Sequence, residues 1–353
     1  MLWNRSMWWK YLAVVLLVYV ILGGISIPLG PGIVGLEQFE LSEENNYKLT
    51  ADVYNFSSEK STTFRAFLKF EDNEFLQASS VKRLSKNKFQ LAFPAVLPPP
   101  GSAKLVVASL LLEDGSRGTA VLPDALRYKF SDRGSRDRFL GAEEISFAAG
   151  SLHLPFRNIL IETIRNLFYH VPMWFSMIIL AGISFFYSWR FLRKGQESDD
   201  LKSSSLVYVA LLLGLLGLIT GSIWAKNTWG TFWTGDVKLN MSALVVLMYA
   251  AYALMRHSIS DPDTMKRNVA AYNIFCFVAM IPLLFIVPRL QDSLHPGNGG
   301  NPGFGGEDLD GTMRLVFYPA VIGWTLLALW ISNLLYRTRR LEDLREEEML
   351  RAA

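Results

Sequence analysis

Cysteine is nearly absent from this chain: Cys276 is the only one in 353 residues. A single thiol excludes a small secreted domain stapled by disulfides. Charge is also scarce. Asp, Glu, Lys and Arg make up 19% of the residues, below the ~25% usual for soluble domains. The net charge of +3 gives no reason to invoke nucleic acid. What is abundant is apolar: 51% of residues are hydrophobic and 13% aromatic, which excludes a disordered tail protein. A mean hydropathy of +0.22 is too low for a chain embedded in lipid throughout. The arithmetic therefore predicts membrane helices together with a water-exposed domain.

Six apolar stretches are long enough, or nearly so, to cross ~30 Å of hydrocarbon at ~1.5 Å per residue. They are Trp8–Ile27, Val171–Trp189, Leu206–Trp224, Met241–Met255, Val269–Pro288 and Leu315–Tyr336. The fourth is the shortest and has to recruit flanking turns. The first has a second reading, a cleaved signal peptide with Arg5 and Lys10 as its basic region. Against this, Trp3, Trp8 and Trp9 cluster where an aromatic belt anchors a permanent helix, and no small-x-small cleavage site follows.

Orientation follows from Lys and Arg in the short connections. Arg190, Arg193, Lys194 and Lys202 lie between the second and third stretches, and Arg256, Lys266 and Arg267 between the fourth and fifth. Arg337, Arg339, Arg340, Arg345 and Arg351 follow the sixth. The connections 225–240 and 289–314 hold only Lys226, Lys238, Arg289 and Arg314. Both termini are thus expected to be cytoplasmic, with 28–170, 225–240 and 289–314 outside a bacterial inner membrane.

Residues 36–145 have a different texture. Runs such as Phe64-Arg65-Ala66-Phe67-Leu68-Lys69-Phe70 and Lys88-Phe89-Gln90-Leu91-Ala92-Phe93 alternate with period two. Asp72-Asn73, Pro98-Pro99-Pro100 and Glu113-Asp114-Gly115 punctuate them. This predicts a small antiparallel β domain, sandwich-like, with no catalytic cluster in it. It reads as a docking or spacer module, or as a partner-binding platform. Residues 155–170 mix apolar and charged side chains behind Pro155, as a connector helix at the membrane interface does.

The expected fold class is a polytopic α-helical membrane protein with six transmembrane helices and an inserted extracytoplasmic β domain. Its parts are a first helix over 1–27, the β domain and flanks over 28–150, and the connector over 151–170. A five-helix membrane domain over 171–340 carries a tryptophan-rich loop, 224–240, and a cytoplasmic tail covers 341–353.

The topology sorts the four histidines. His257 falls on the cytoplasmic side, and His153, His170 and His295 fall outside. Between the third and fourth stretches runs Trp224-Ala225-Lys226-Asn227-Thr228-Trp229-Gly230-Thr231-Phe232-Trp233-Thr234-Gly235-Asp236. A loop so rich in aromatics wants a flat apolar partner: lipid, another subunit or a planar ligand. Two histidines on separate outer segments, flanking an indole shelf, suit a haem, because imidazoles ligate iron on its axial faces. Arg157, Arg165, Lys226 and Arg289 lie on the side where propionates would be met. A pair of interfacial histidines with no ligand is the other reading. No Cys-x-x-Cys-His is present, so the chain does not attach a haem to itself covalently. The glycine-rich stretch after His295 lacks the Gly-Lys-Ser/Thr end of a phosphate loop. Its glycines suit a close backbone approach to a flat ring.

These residues resemble the haem-handling membrane proteins of cytochrome c maturation, whose motif reads Trp-Gly-x-x-Trp-x-Trp-Asp. Here Trp229, Gly230, Trp233 and Asp236 match it, as do His-Val-Pro-x-Trp at His170 and the late outer histidine, His295. The six-span layout resembles the haem exporter protein C branch, CcmC, loosely over 1–27 and well over 156–340. Gly235 stands where the family usually has tryptophan, and the first outer segment is far larger than usual.

The resemblance implies that His170 and His295 are axial ligands of a non-covalent, transferable haem b. It places Trp224, Trp229, Gly230, Trp233, Asp236 and Arg165 around the porphyrin. It implies delivery to the haem chaperone CcmE alongside the ABC transporter CcmAB and the small protein CcmD. No nucleophile, acid–base dyad or nucleotide site is evident, so a non-enzymatic role is expected. Rival readings are the related synthase branch, CcsA, which attaches haem to apocytochrome, the permease subunit of a haem ABC exporter, and a structural scaffold.

Overall fold

The computed structural model describes residues 7–27, 30–41, 46–59, 61–70, 74–98, 104–131, 139–145, 161–295, 309 and 311–352. The chain divides into two compact units, one over residues 28–162 and one combining 1–27 with 163–353.

The first unit is built from strands. In chain order they are β1 Gly32–Leu41, β2 Asn46–Tyr54, β3 Phe64–Lys69, β4 Glu74–Gln77, β5 Ser80–Ser85, β6 Lys88–Pro94, β7 Leu105–Asp114, β8 Gly118–Lys129 and β9 Phe139–Gly141. They form two antiparallel sheets, ordered β1-β2-β6-β5 and β8-β7-β3-β4-β9. Period-two alternation turns one face of each sheet inward. Phe89, Leu91 and Phe93 of β6 meet Ala66 and Leu68 of β3 and Leu110 and Leu112 of β7 in one buried cluster. Tyr128 closes it: its hydroxyl donates to the Pro94 carbonyl at 2.6 Å, and its ring meets Tyr47 edge-on at 5.0 Å. The expected sandwich is thus present.

The second unit is a helical bundle: α1 Trp8–Ser26, α2 His170–Lys194, α3 Glu197–Trp229, α4 Val237–Ser258, α5 Pro262–Phe285 and α6 Gly311–Ala352. The helices at these six positions are long and apolar enough to cross a membrane. A 3-10 helix, Ile161–Phe168, precedes α2 where an interfacial helix was expected. Pro155, Arg157 and His153 lie outside the described residues.

Helices α2 to α6 extend at one or both ends beyond the stretches read off hydropathy, and three of the extensions have a visible cause or consequence. α3 does not stop at Trp224 but runs on to Trp229, where Gly230 takes a left-handed φ of 82° and donates its N–H to the Lys226 carbonyl. Half of the tryptophan-rich segment is therefore helix rather than loop. α4 begins at Val237 because the Asp236 carboxylate accepts the Lys238 N–H and caps the helix. That supplies the turns its apolar core lacked. α6 continues past the apolar stretch through the charged tail to Ala352.

A row of small residues on α3 sets the α2–α3 packing. A Cβ added to Gly214 would meet the Met177 sulfur at 2.8 Å. At Gly217 it would meet Trp174 at 2.8 Å, and at Gly221 the His170 ring at 2.8 Å. Going up α3 in steps of three and four steps down α2 in the same way, as antiparallel helices require. The glycines let large side chains of α2 lie directly on the α3 backbone.

Charge gathers at the far end. Arg190 donates to both oxygens of buried Asp199 at 2.6 Å, and Arg256 forks onto Asp200. One turn further in, Asn273 of α5 donates to Ser184 and Ser188 of α2 at 2.8 and 2.9 Å, and Ser184 meets Ser203 of α3 at 2.9 Å. From Asp199 to Thr220 along α3 is about 31 Å at ~1.5 Å per residue, the thickness of a hydrocarbon layer. The histidine end and the ion-paired end thus lie one membrane thickness apart.

Candidate histidine–tryptophan site

His170 is the first residue of α2. Its Nδ1 lies 3.0 Å from the Thr220 hydroxyl of α3. That hydroxyl has one proton and points it at the Leu216 carbonyl, 2.8 Å away. With the hydroxyl proton given to Leu216, the oxygen accepts from His170 Nδ1, and in that tautomer Nε2 keeps its lone pair. Gly221 is what lets the ring lie here, since any larger residue would collide with it.

His295 sits at the end of the segment that follows α5. Its Nδ1 lies 2.9 Å from Oδ1 of Asp236, whose side chain is 1% exposed. Oδ2 of the same carboxylate accepts the Leu294 N–H at 2.7 Å and the Ser293 hydroxyl at 2.9 Å. Burial pushes the Asp236 carboxyl up. The His295 imidazole, by hydrogen bond and charge, together with Leu294 and Ser293 outweighs this and holds it well below the usual carboxylate range. An ionised Asp236 accepts the Nδ1 proton, and when the ring is neutral this leaves the lone pair on Nε2.

The tryptophans join the two. The Trp224 ring lies 6.0 Å from the His295 ring at 38°, and Trp229 meets His295 edge-on at 5.1 Å. Trp224 and Trp229 pack on each other at 4.9 Å. His170 thus touches α3 at Gly221 and His295 touches it at Trp224. Three residues of helix separate these points by about 4.5 Å. Both rings belong to one end of the bundle.

Beyond Gly230 the segment turns outward. Phe232 is 58% exposed and Trp233 43%. Trp233 Nε1 donates to the Asn240 side chain at 3.1 Å, and Asn240 donates to the Gly235 carbonyl at 2.9 Å, which pins the turn to α4. Gly235 itself holds φ at 73°. A tryptophan here would be strained by its own backbone, which accounts for the glycine.

The cations expected near this site fare differently. Arg165 donates to the Gly24 and Ile27 carbonyls at 2.9 Å each, closing the end of α1. Lys226 donates to the Gly230 carbonyl at 2.7 Å and lies 5.7 Å from the Phe232 ring centre. Arg289 is exposed. His257 sits near the other end of α4, about 30 Å along the helix from Asp236, bonded to the Ala253 carbonyl. The glycines after His295 lie outside the described residues.

Sequence reasoning singled out His170, His295, Trp224, Trp229, Gly230, Trp233 and Asp236, and the structure places His170, His295, Trp224, Trp229 and Asp236 at one end of the bundle. It missed Thr220, Gly221, Asn240 and Ser293. The glycine spacing 214, 217, 221 was the available signal for Gly221. Among the described residues no three His, Cys, Asp or Glu side chains converge on a metal position. Two imidazoles with free Nε2 atoms suit an iron whose other ligands come from a macrocycle.

A family model described as CcmC, heme exporter protein C, matches residues 146–351. The nine strands among the described residues precede the matched region. Similar proteins include Heme exporter protein C of Paracoccus denitrificans, 27% identical over 187 residues, which is 50% of this chain and 72% of that protein. The protein of the same name from Bradyrhizobium diazoefficiens is 25% identical over 166 residues, 47% and 62% of the two chains. A shorter segment of 63 residues is 46% identical to cytochrome c biogenesis protein CcsA of Prochlorococcus marinus, covering 18% and 20%.

Proposed function

The chain belongs to the heme exporter protein C family, and on that premise we propose that its histidine–tryptophan end binds haem and hands it on during cytochrome c maturation. In this reading His170 and His295 supply the axial ligands through Nε2. Trp224, Trp229 and Trp233 pack the porphyrin, Gly230 and Gly235 shape the turn, and Asp236 holds His295 in place. Lys226 and Arg289 are positioned to meet propionates. Arg165 serves the site by fixing α1 against the start of α2. The observation that carries the reading is the pair of imidazoles resting on one turn of α3, each with Nδ1 engaged by a protein oxygen.

The haem is cargo, non-covalent haem b, and no bond within it changes. Apolar contact with the indole shelf gives affinity at ~25 cal/mol per Å² removed from water. Nitrogen ligands let the iron go by exchange, one at a time. With Arg and Lys concentrated at the ion-paired end, that end faces the cytoplasm and the haem site and β domain face the periplasm. The acceptor is the chaperone CcmE, with CcmAB and CcmD in the same complex, as the resemblance implies.

Absorbance of the purified full chain, expressed with the maturation system, tests this. A low-spin Soret and α band lost in His170→Ala and His295→Ala is expected. A wild-type chain free of haem overturns it. The short CcsA match favours a second reading, direct attachment to apocytochrome. That branch usually carries additional spans with a further histidine pair, and here His170 only begins α2 and His257 nearly ends α4. Cytochrome c made by this chain alone, in a host lacking other maturation factors, would establish the second reading.

A further inference from the structure

We propose that the two histidines are unequal by construction: Asp236 makes His295 the retained ligand, and His170, backed by neutral partners, the Thr220 hydroxyl and the Gly217 backbone, is the ligand that yields when haem leaves. This rests on the haem reading above and assigns an order to its release step.

The inequality lies in what each Nδ1–H meets. Behind His295 stands a buried carboxylate. A full negative charge on the far nitrogen pushes electron density towards Nε2 and strengthens its bond to a metal. The carboxylate cannot swing aside, because Ser293, Leu294 and the first turn of α4 all hold it. Behind His170 stands a neutral oxygen that already donates its own proton to Leu216. It orients the ring but contributes little charge. Both rings are aimed in advance, and only one is electronically reinforced.

Release then has a direction. The iron–Nε2 bond to His170 breaks, its electron pair returning to the imidazole. The lone pair of an incoming donor fills the vacated axial position. No proton moves and the iron keeps its oxidation state. His295 holds the haem until the new bond exists, so the cargo is not free in water at any stage. The acceptor's ligand must approach from the α2 side of the porphyrin.

The test uses the full chain in detergent, loaded with haem, and imidazole as the probe. His170→Gly should retain haem as a five-coordinate, high-spin species. Added imidazole should restore the six-coordinate spectrum, because the lost ring leaves a slot beside Gly221. His295→Gly should lose its haem. Asp236→Asn keeps one oxygen to cap α4, since asparagine caps as well as aspartate, and removes the charge, its amide nitrogen replacing the oxygen that accepts from Ser293 and Leu294. It should raise the reduction potential and speed haem loss about 10- to 100-fold, with a smaller shift of both in Thr220→Val. Retention by His295→Gly with loss from His170→Gly overturns the order. So does equal behaviour of the two, or a larger effect of Thr220→Val than of Asp236→Asn. A wild-type chain that binds no haem fails at an earlier point and overturns the haem reading as well.

Discussion

His170 and Gly221 face each other across the α2–α3 contact with so little space that a methyl group on the glycine would lie 2.8 Å from Cε1 of the imidazole. The absence of a side chain on α3 is thus what admits the ring. Gly221→Ala should displace His170 rather than unfold the bundle, at a cost of about 1–3 kcal/mol for overpacking. Loss of the low-spin haem spectrum with little change in helix content by circular dichroism is the expected result. An unchanged spectrum would show that the ring has other room.

Gly235 makes a backbone prediction. Its φ of 73° is strained for any side chain, while nothing stands within 4 Å of where a Cβ would go. Gly235→Ala should therefore cost roughly 1–2 kcal/mol through conformation alone. A thermal melt of the full chain measures it. Gly235→Trp, which restores the usual residue of the family motif, should be no more stable than Gly235→Ala. A stabilised Gly235→Trp chain would contradict the conformational account.

The far end of the bundle should be separable from the site. Asn273 ties α2 and α5 through Ser184 and Ser188, roughly 21–27 Å along α2 from His170. Asn273→Ala should lower stability by ~1 kcal/mol, as interhelical hydrogen bonds in membranes do. The haem spectrum should stay as in wild type. A shift in that spectrum would reveal coupling between the ends.

Acid should leave the Asp236 cluster intact well below neutrality. The folded state holds this carboxyl below its ordinary value of about 3.9. The stability it contributes is therefore complete above that ordinary value and is lost only as pH falls towards the depressed one. The protection factor of the Leu294 amide, which donates to Asp236, should be constant from about pH 7 to about pH 4.5. A fall beginning near pH 6 would mean that the carboxylate is not held as described.

Much of this was legible in the sequence for physical reasons. Six apolar runs gave six helices, because lipid demands length and hydropathy that few other contexts do. Alternation in 64–70 and 88–93 gave strands with the right faces inward. The paired histidines and tryptophans stood out because outer loops rarely carry them. What could not be read was anything set by capping or by contact. Trp224 and Trp229 lie on helix because Gly230 closes α3 five residues later than hydropathy suggests. Asp236 read as one more motif residue, yet it caps α4, fastens 293–295 and orients His295 at once. Thr220 is an ordinary residue in an apolar run until His170 is placed beside it. Arg165 looked like a propionate partner by its side of the membrane, and its Nη1 instead spends itself on the carbonyls ending α1.

The central claim is that one iron is gripped by both imidazoles. Low-temperature electron paramagnetic resonance of the ferric, haem-loaded full chain reads this directly. Two histidine ligands give a low-spin rhombic signal, replaced by a high-spin axial one in His170→Gly. A high-spin wild type, or a low-spin signal that survives in both His170→Gly and His295→Gly without added ligand, would contradict the account.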